Sequence, residues 1–203
     1  FALNYLKLYN EKELASYEKP SDSDINSISD QNIVLEGEDA AYKNDRTLYP
    51  TSDRTSYITS PSDPTKTRYN TIGKDNWNQA TQSITWEFTV EQSGYYKIGI
   101  RARQDSMRGL YSNRRLYIDG VVPNAESEQI KFYYNTEWEV VSPEDANGDP
   151  MYYYLEAGNH TITLEAIPGE IGEIMDELED IVYNITSYYR RIREITGPSP
   201  DEY

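Results

Sequence analysis

Ser83-Ile84-Thr85-Trp86-Glu87-Phe88-Thr89-Val90, then Glu91-Gln92-Ser93-Gly94, then Tyr95-Tyr96-Lys97-Ile98-Gly99-Ile100-Arg101-Ala102-Arg103, is the stretch that decides the fold. In its first part Ile84, Trp86, Phe88 and Val90 alternate strictly with polar residues. Successive side chains of an extended chain point to opposite faces, so this is the period of a half-buried strand. Tyr96, Ile98, Ile100 and Ala102 repeat the alternation, with Lys97, Arg101 and Arg103 on the opposite side. Glu91 to Gly94 carries turn residues, and the whole reads as a β-hairpin.

Further strands lie on both sides of it. Ile33-Val34-Leu35-Glu36-Gly37-Glu38 has strand character. Tyr42 to Asn70 keeps no period and reads as a long surface loop, a length that usually carries function or disorder. Arg114 to Ile118 is a strand closed by Asp119-Gly120, a strong turn dipeptide. Trp138-Glu139-Val140-Val141 is a short strand. Asn147-Gly148 turns into Met151 to Leu155, and Ala157-Gly158-Asn159 turns into His160 to Ala166. Several short strands at this spacing argue for a mainly β protein, an antiparallel sandwich over residues 31–168.

The two ends read differently. Residues 1 to about 18 look helical, with Leu3, Leu6, Tyr9 and Leu14 on one stripe. Pro20 and the run Ser21-Asp22-Ser23-Asp24 break the pattern, so residues 1–30 form a helical arm and linker. After Pro168-Gly169 the apolar residues Ile171, Ile174, Leu178, Ile181, Ile185, Tyr188, Ile192 and Ile195 fall at 3-4 spacing. That is one apolar face of a long amphipathic helix. Acids crowd its start and Arg190, Arg191 and Arg193 its end, which suits the helix dipole. Gly197-Pro198 ends it, and residues 169–203 are helix plus linker. Such a stripe needs a partner, and the N-terminal helix is the nearest candidate.

Composition excludes several functions. The 203 residues carry a formal net charge of -16, which repels nucleic acid and anionic membrane surfaces. No apolar run approaches the roughly 18 residues of a membrane span, so direct membrane insertion is not expected. There is no cysteine and a single histidine, His160. Disulfides, Cys-ligated metals and His-rich zinc sites are therefore absent. No Gly-x-Ser-x-Gly elbow accompanies that histidine and no acid stands in a catalytic context, so an enzyme is not expected. Tyrosine is abundant, 20 against 3 phenylalanines. Its ring is apolar with a polar tip, useful both for stacking on sugars and on wet sheet surfaces.

Residues 33–166 resemble the carbohydrate-binding modules of families 6 and 35, which are galactose-binding-like jelly-rolls. The pieces that carry the resemblance occur in order. They are Leu35-Glu36-Gly37-Glu38-Asp39-Ala40, Asn70-Thr71-Ile72-Gly73 through Trp77, and Ile84 to Ile98 with its Gly94-Tyr95-Tyr96. Leu116-Tyr117-Ile118-Asp119-Gly120, Asn135-Thr136-Glu137-Trp138 and Leu155-Glu156-Ala157-Gly158-Asn159-His160-Thr161-Ile162 complete the set. The chain also resembles a segment of long bacterial extracellular solute-binding proteins of carbohydrate ABC transporters. There such a sandwich precedes an acidic helix and a sequence like Thr196-Gly197-Pro198-Ser199-Pro200. The resemblance implies a non-catalytic sugar-binding module, extracellular and attached to a larger host protein. The final strand on which the family carries its last site residue has no counterpart here, because Pro168-Gly169 and the helix stand in its place.

The candidate site residues follow. Trp77 and Trp138 fall near the family's usual binding loops, where an aromatic ring packs on the C–H face of a sugar; either would otherwise cap the core. Arg108, Tyr111 and Asn113 sit in a segment between two strands, and with Asp105 they would hydrogen-bond sugar hydroxyls or, through Arg108, a uronate carboxylate. Glu36 and Glu38 lie two apart, hence on one face of a strand, which suits a structural calcium; a solvated polar face is the alternative. Asp145-Ala146-Asn147-Gly148-Asp149 mimics the start of a calcium loop, but Pro150 stands at the required glycine and the run reads as a turn. Against sugar binding stands a structural reading, in which the sandwich only positions its host's domains. A surface adhesin that contacts protein is a third.

Overall fold

The structure is a computed structural model. It describes residues 13–25, 31–56, 59–63, 65–106 and 108–197. The chain divides into two compact units, Phe1–Ile167 and Pro168–Tyr203.

The first unit is an antiparallel β-sandwich of the jelly-roll kind. Its strands are β1 Tyr42–Lys43, β2 Pro50–Thr51, β3 Thr71–Ile72, β4 Ser83–Val90, β5 Gly94–Lys97 and β6 Ile100–Ala102. They continue with β7 Tyr111–Ile118, β8 Ile130–Tyr133, β9 Glu139–Val141, β10 Tyr152–Leu155 and β11 Gly158–Ile167. One layer is a five-stranded sheet in the order β1-β4-β11-β7-β8. The pairs β10–β5 and β6–β9 face the same core from the other side, and β2–β3 is a further two-stranded pair. Ile84, Trp86, Leu116, Ile130, Phe132 and Leu164 from the first pack against Met151, Tyr153, Ile98, Ile100 and Val141 from the second. Ile84 and Leu116 are fully buried. Truncating either to alanine would cost about 2–5 kcal/mol, the lost transfer energy plus the cavity left behind.

The deciding stretch forms its strands but not its hairpin. β4 pairs with β11, and β5 pairs with β10. Glu91–Ser93 is a corner at which the chain leaves one layer for the other. The link between β10 and β11 is a second such corner, and Ala157 N–H donates to Ser93 Oγ at 2.7 Å, so the corners lie against each other. Alternation says which face of a strand is buried; it says nothing of which strand lies beside it.

Three other expectations change. Residues 13–18 are not helical. They run extended against the sandwich, where Ala125 N–H donates to Ala15 O at 3.0 Å and Tyr152 N–H to Tyr17 Oη at 3.0 Å. Tyr17 packs on the core, so the aromatic ring of the supposed arm belongs to the sandwich. The expected helix over residues 1–12 lies outside the described residues. Asp22–Ile25 forms a single helical turn, α1. Finally, Ile33–Glu38 is no ladder strand: the chain stays unpaired to Glu36 and then makes a 3-10 turn over Gly37–Asp39. Trp86 explains the turn, since its indole N–H donates to the carbonyls of Glu36 at 3.2 Å and Gly37 at 3.3 Å.

The Asp119-Gly120 turn forms as the dipeptide predicts, with both residues at positive φ. Asp145 closes the other turn with its side chain, accepting from Asn147 N–H at 2.8 Å and Asp149 N–H at 3.0 Å.

The second unit carries α2, Glu170–Thr196. Gly172 N–H donates to Gly169 O at 2.9 Å at its start, and Gly197 N–H to Arg193 O at 2.9 Å at its end. Gly197 has φ 76° and ψ 178°, an extended positive-φ conformation that glycine adopts readily and other residues rarely do. Among the described residues no helix is long and apolar enough to cross a membrane.

Candidate functional site

Strand register determines which loops share an end of the sandwich. Tyr111 pairs with Tyr133 and Ala102 with Glu139, so β7 begins where β8 ends, and β6 ends where β9 begins. The segments 103–110 and 134–138 therefore meet. Asn135 N–H donates to Gln104 O at 2.8 Å, and Tyr134 N–H to Leu110 O at 3.2 Å. The long loop between β2 and β3 joins them through Arg103.

Arg103 is the hub of this end. Its Nη1 lies 2.9 Å from Asp53 Oδ2 and its Nε 3.2 Å from Asp105 Oδ2. Nη1 also donates to Thr55 Oγ1 at 2.5 Å. The Arg103 and Asp53 side chains are only 11% and 8% exposed. Asp53 accepts from the N–H and hydroxyl of Thr55, both at 2.6 Å. Asn70 holds the backbone there, accepting from Asp53 N–H at 2.7 Å and donating to Asp53 O at 2.9 Å. Burial alone would raise the Asp53 pKa. The Thr55 hydrogen bonds, the Arg103 charge and the Trp138 indole outweigh it, and the carboxyl is held below its ordinary value.

Trp138 stands on this platform. Arg103 Cζ lies 5.3 Å and Arg101 Cζ 5.9 Å from its ring centroid, within cation–π range. The indole N–H is buried on the Asp53 side without closing a hydrogen bond of ordinary geometry. The ring is half-buried. Arg101 and Arg103 point away from the core, because Ile100 and Ala102 point into it. Trp138 is thus on the outer side of the β6–β9 layer.

The other proposed sugar contacts do not gather around it. Tyr111 is on the outer side of the five-stranded sheet, edge-to-face with Tyr133 at 5.6 Å and under Lys131 Nζ at 4.9 Å. Asn113 shares that side but is 2% exposed, and its Oδ1 accepts from Gln129 Nε2 at 3.2 Å. Both belong to β7 rather than to a loop. Arg108 is exposed in the turn between β6 and β7. Trp77 packs on the core. Its indole N–H donates to Gln82 O at 3.0 Å, and Arg114 Cζ lies 4.4 Å from its ring centroid. Gly73, at φ 92°, lies so close that a Cβ there would fall 2.9 Å from Trp77 Cε3. Burial pushes the Arg114 pKa down to about 10, which leaves the guanidinium charged at neutral pH. Trp77 therefore plugs the end of the core, with a buried cation on its ring.

The residues that sequence reasoning missed here are Asp53, Arg101 and Arg103. Asp53 sat in a loop with no period, and both arginines read as the solvent side of a strand. The signal available was Arg101 and Arg103 two apart, hence on one face, close in register to Trp138 once β6 is paired with β9.

The pair Glu36 and Glu38 spans the 3-10 turn and not a strand face. Glu38 Oε2 is buried with no hydrogen-bond partner. Burial first, then the nearby Glu36 and Asp39 charges, raise the Glu38 pKa against the opposing pull of its own backbone N–H. An orphaned, desolvated carboxylate oxygen is what a cation would satisfy. Among the described residues, however, no three His, Cys, Asp or Glu side chains converge on one metal position. A calcium at Glu38 would need backbone carbonyls and water for most of its six or more oxygens.

No family model and no curated protein matches the sequence. Solved structures with a similar chain course do. A family 35 carbohydrate-binding module from Clostridium thermocellum is 16% identical, with TM-score 0.48, and the match covers 66% of this chain and 85% of that one. A family 35 module from Cellvibrio japonicus is 19% identical, with TM-score 0.39, over 59% of this chain and 72% of that one. A cycloisomaltooligosaccharide glucanotransferase of Paenibacillus sp., complexed with cycloisomaltoheptaose, is 21% identical with TM-score 0.45. That match takes in 64% of this chain but only 15% of the much longer enzyme.

Proposed function

We propose that the sandwich is a non-catalytic carbohydrate-binding module whose glycan surface is centred on Trp138. The observation that carries the reading is a half-buried indole backed by two outward-facing guanidiniums at 5.3 and 5.9 Å. Its base is fixed by the buried Arg103–Asp53 pair. A ring held this rigidly offers a flat apolar face at little entropic cost, which is what stacking on a sugar requires. Asp105, 3.2 Å from Arg103 Nε, supplies an exposed carboxylate that can accept from sugar hydroxyls. The motif resemblance of residues 33–166 points the same way, and from it we take an extracellular module within a larger carbohydrate-handling protein. The test is a broad glycan array followed by calorimetry. Wild type should bind at least one glycan, and Trp138→Ala should lose it with the fold intact. No binding across the array would refute the reading.

The structural reading keeps one observation of its own. The ring of Trp77, the other tryptophan that stood for sugar stacking, is taken up by Arg114 and Gly73. On that reading Trp138→Ala changes stability and no binding.

A further inference from the structure

Helix α2 presents a continuous apolar stripe to solvent. Ile174, Leu178, Ile181, Ile185, Tyr188, Ile192 and Ile195 are all between 50 and 86% exposed. Counting Ile171 as the first residue of a heptad, all eight residues of the stripe fall on the two seam positions of a coiled coil. Met175, Val182 and Tyr189 extend the apolar surface along one flank, each about half exposed. Glu177, Asn184 and Arg191 occupy the other flank, seven residues apart.

We propose that α2 is a dimerisation element that pairs antiparallel with α2 of a second copy of this chain. Either direction gives an apolar seam, but the charges flanking it match only in the antiparallel one. Setting Ile181 against Ile185 of the second copy places Leu178 against Tyr188, Ile174 against Ile192 and Ile171 against Ile195. Every layer of the seam is then apolar, in knobs-into-holes order. In the same register Glu177 meets Arg191 of the second copy, twice by symmetry, and Asn184 meets its own equivalent. On the other flank Met175 meets Tyr189, and Val182 meets Val182. A parallel pair would instead set the acidic first half of the helix beside itself and Glu177 beside an apolar Val182. The antiparallel arrangement brings Glu177 to Arg191 and the acidic half of one helix to the basic end of the other, so charge favours it. The interface is isologous, as a closed two-fold dimer requires.

The test is the mass of the full chain across the micromolar range, by sedimentation or light scattering. The expected result is twice the 23.5 kDa of one chain. Leu178→Asp, on an exposed residue outside the sandwich, should weaken the dimer at least about a hundredfold and leave the sandwich melting unchanged. Glu177→Arg and Arg191→Glu alone should each weaken it about tenfold or more, and the two together should return it to within about threefold of wild type. A monomer across that range overturns the proposal. If such a monomer becomes a dimer when residues 1–12 are removed, the stripe is covered by the chain's own N-terminal segment. A dimer indifferent to Leu178→Asp, or a charge swap without rescue, overturns it equally.

Discussion

Removing the Asp53 carboxylate should unbalance the whole loop end. Asp53→Ala deletes the Oδ2 that lies 2.9 Å from Arg103 Nη1 and the acceptor of both Thr55 bonds. Arg103 stays behind as a nearly buried charge, 11% exposed. Breaking one side of a buried pair typically costs about 3–5 kcal/mol, most of it the uncompensated charge. Asp105 remains 3.2 Å from Arg103 Nε and softens the loss, so we place the cost near the lower end, about 3 kcal/mol. For a chain of this size that is a fall in Tm of about 6–12 °C. Denaturant unfolding checks the energy and calorimetry the midpoint. Arg103→Met removes the orphaned charge, so the double variant should lose about 1–2 kcal/mol less than the two single losses summed. The pH dependence has a definite sign. Asp53 has a folded pKa held below its ordinary value, so its stabilisation is complete above the unfolded value of about 3.9 and is lost as pH falls through the folded one. The gap between wild type and Asp53→Ala should close on acidification below about pH 4. An Asp53→Ala cost under about 1 kcal/mol, or strict additivity with Arg103→Met, would refute the reasoning.

Two further outcomes follow from other groups. His160, the one histidine, is hydrogen-bonded through Nδ1 to Asp119 Oδ2 at 2.7 Å, and that bond first, then Glu156 O, raises its pKa. Its contribution is complete below the unfolded value of about 6.5 and is lost as pH rises through the folded one. Its single imidazole resonance should therefore titrate above 6.5 and move down in Asp119→Asn; an unmoved midpoint would contradict the pairing. Glu38 has its pKa raised mainly by burial, so its ionised form destabilises the fold at neutral pH. Glu38→Gln should raise Tm in chelator. We also propose that millimolar calcium stabilises wild type and leaves Glu38→Gln unmoved; equal responses, or none in wild type, would remove the cation from the account.

The sandwich was legible because alternation survives any tertiary context. Ile84, Trp86 and Val90 had to face one way, and they do. Strand partners were not legible, since the same alternation serves a hairpin and a layer-crossing corner equally. The 3-10 turn at Gly37–Asp39 leaves no local signal, because it is fixed by the Trp86 indole, some fifty residues away in sequence. The site was half legible for the same reason. Trp138 was marked by the motif around it, while Arg101 and Arg103 become its platform only when β6 meets β9. Asp53 joins through a loop whose composition carries no pattern. Tyr111 and Asn113 looked like loop residues because polar residues surround them, yet β8 pairs with them and buries one.

The indole N–H resonances test the central claim most directly. The three tryptophans give three such signals, two from groups bonded to carbonyls, Trp77 to Gln82 O and Trp86 to Glu36 O and Gly37 O. The third belongs to Trp138, on the outer platform. Titrating the protein with the best glycan from the array should shift the Trp138 signal and leave the other two in place. A shift centred on Trp77, or no shift at Trp138 with a glycan that binds, would contradict the account.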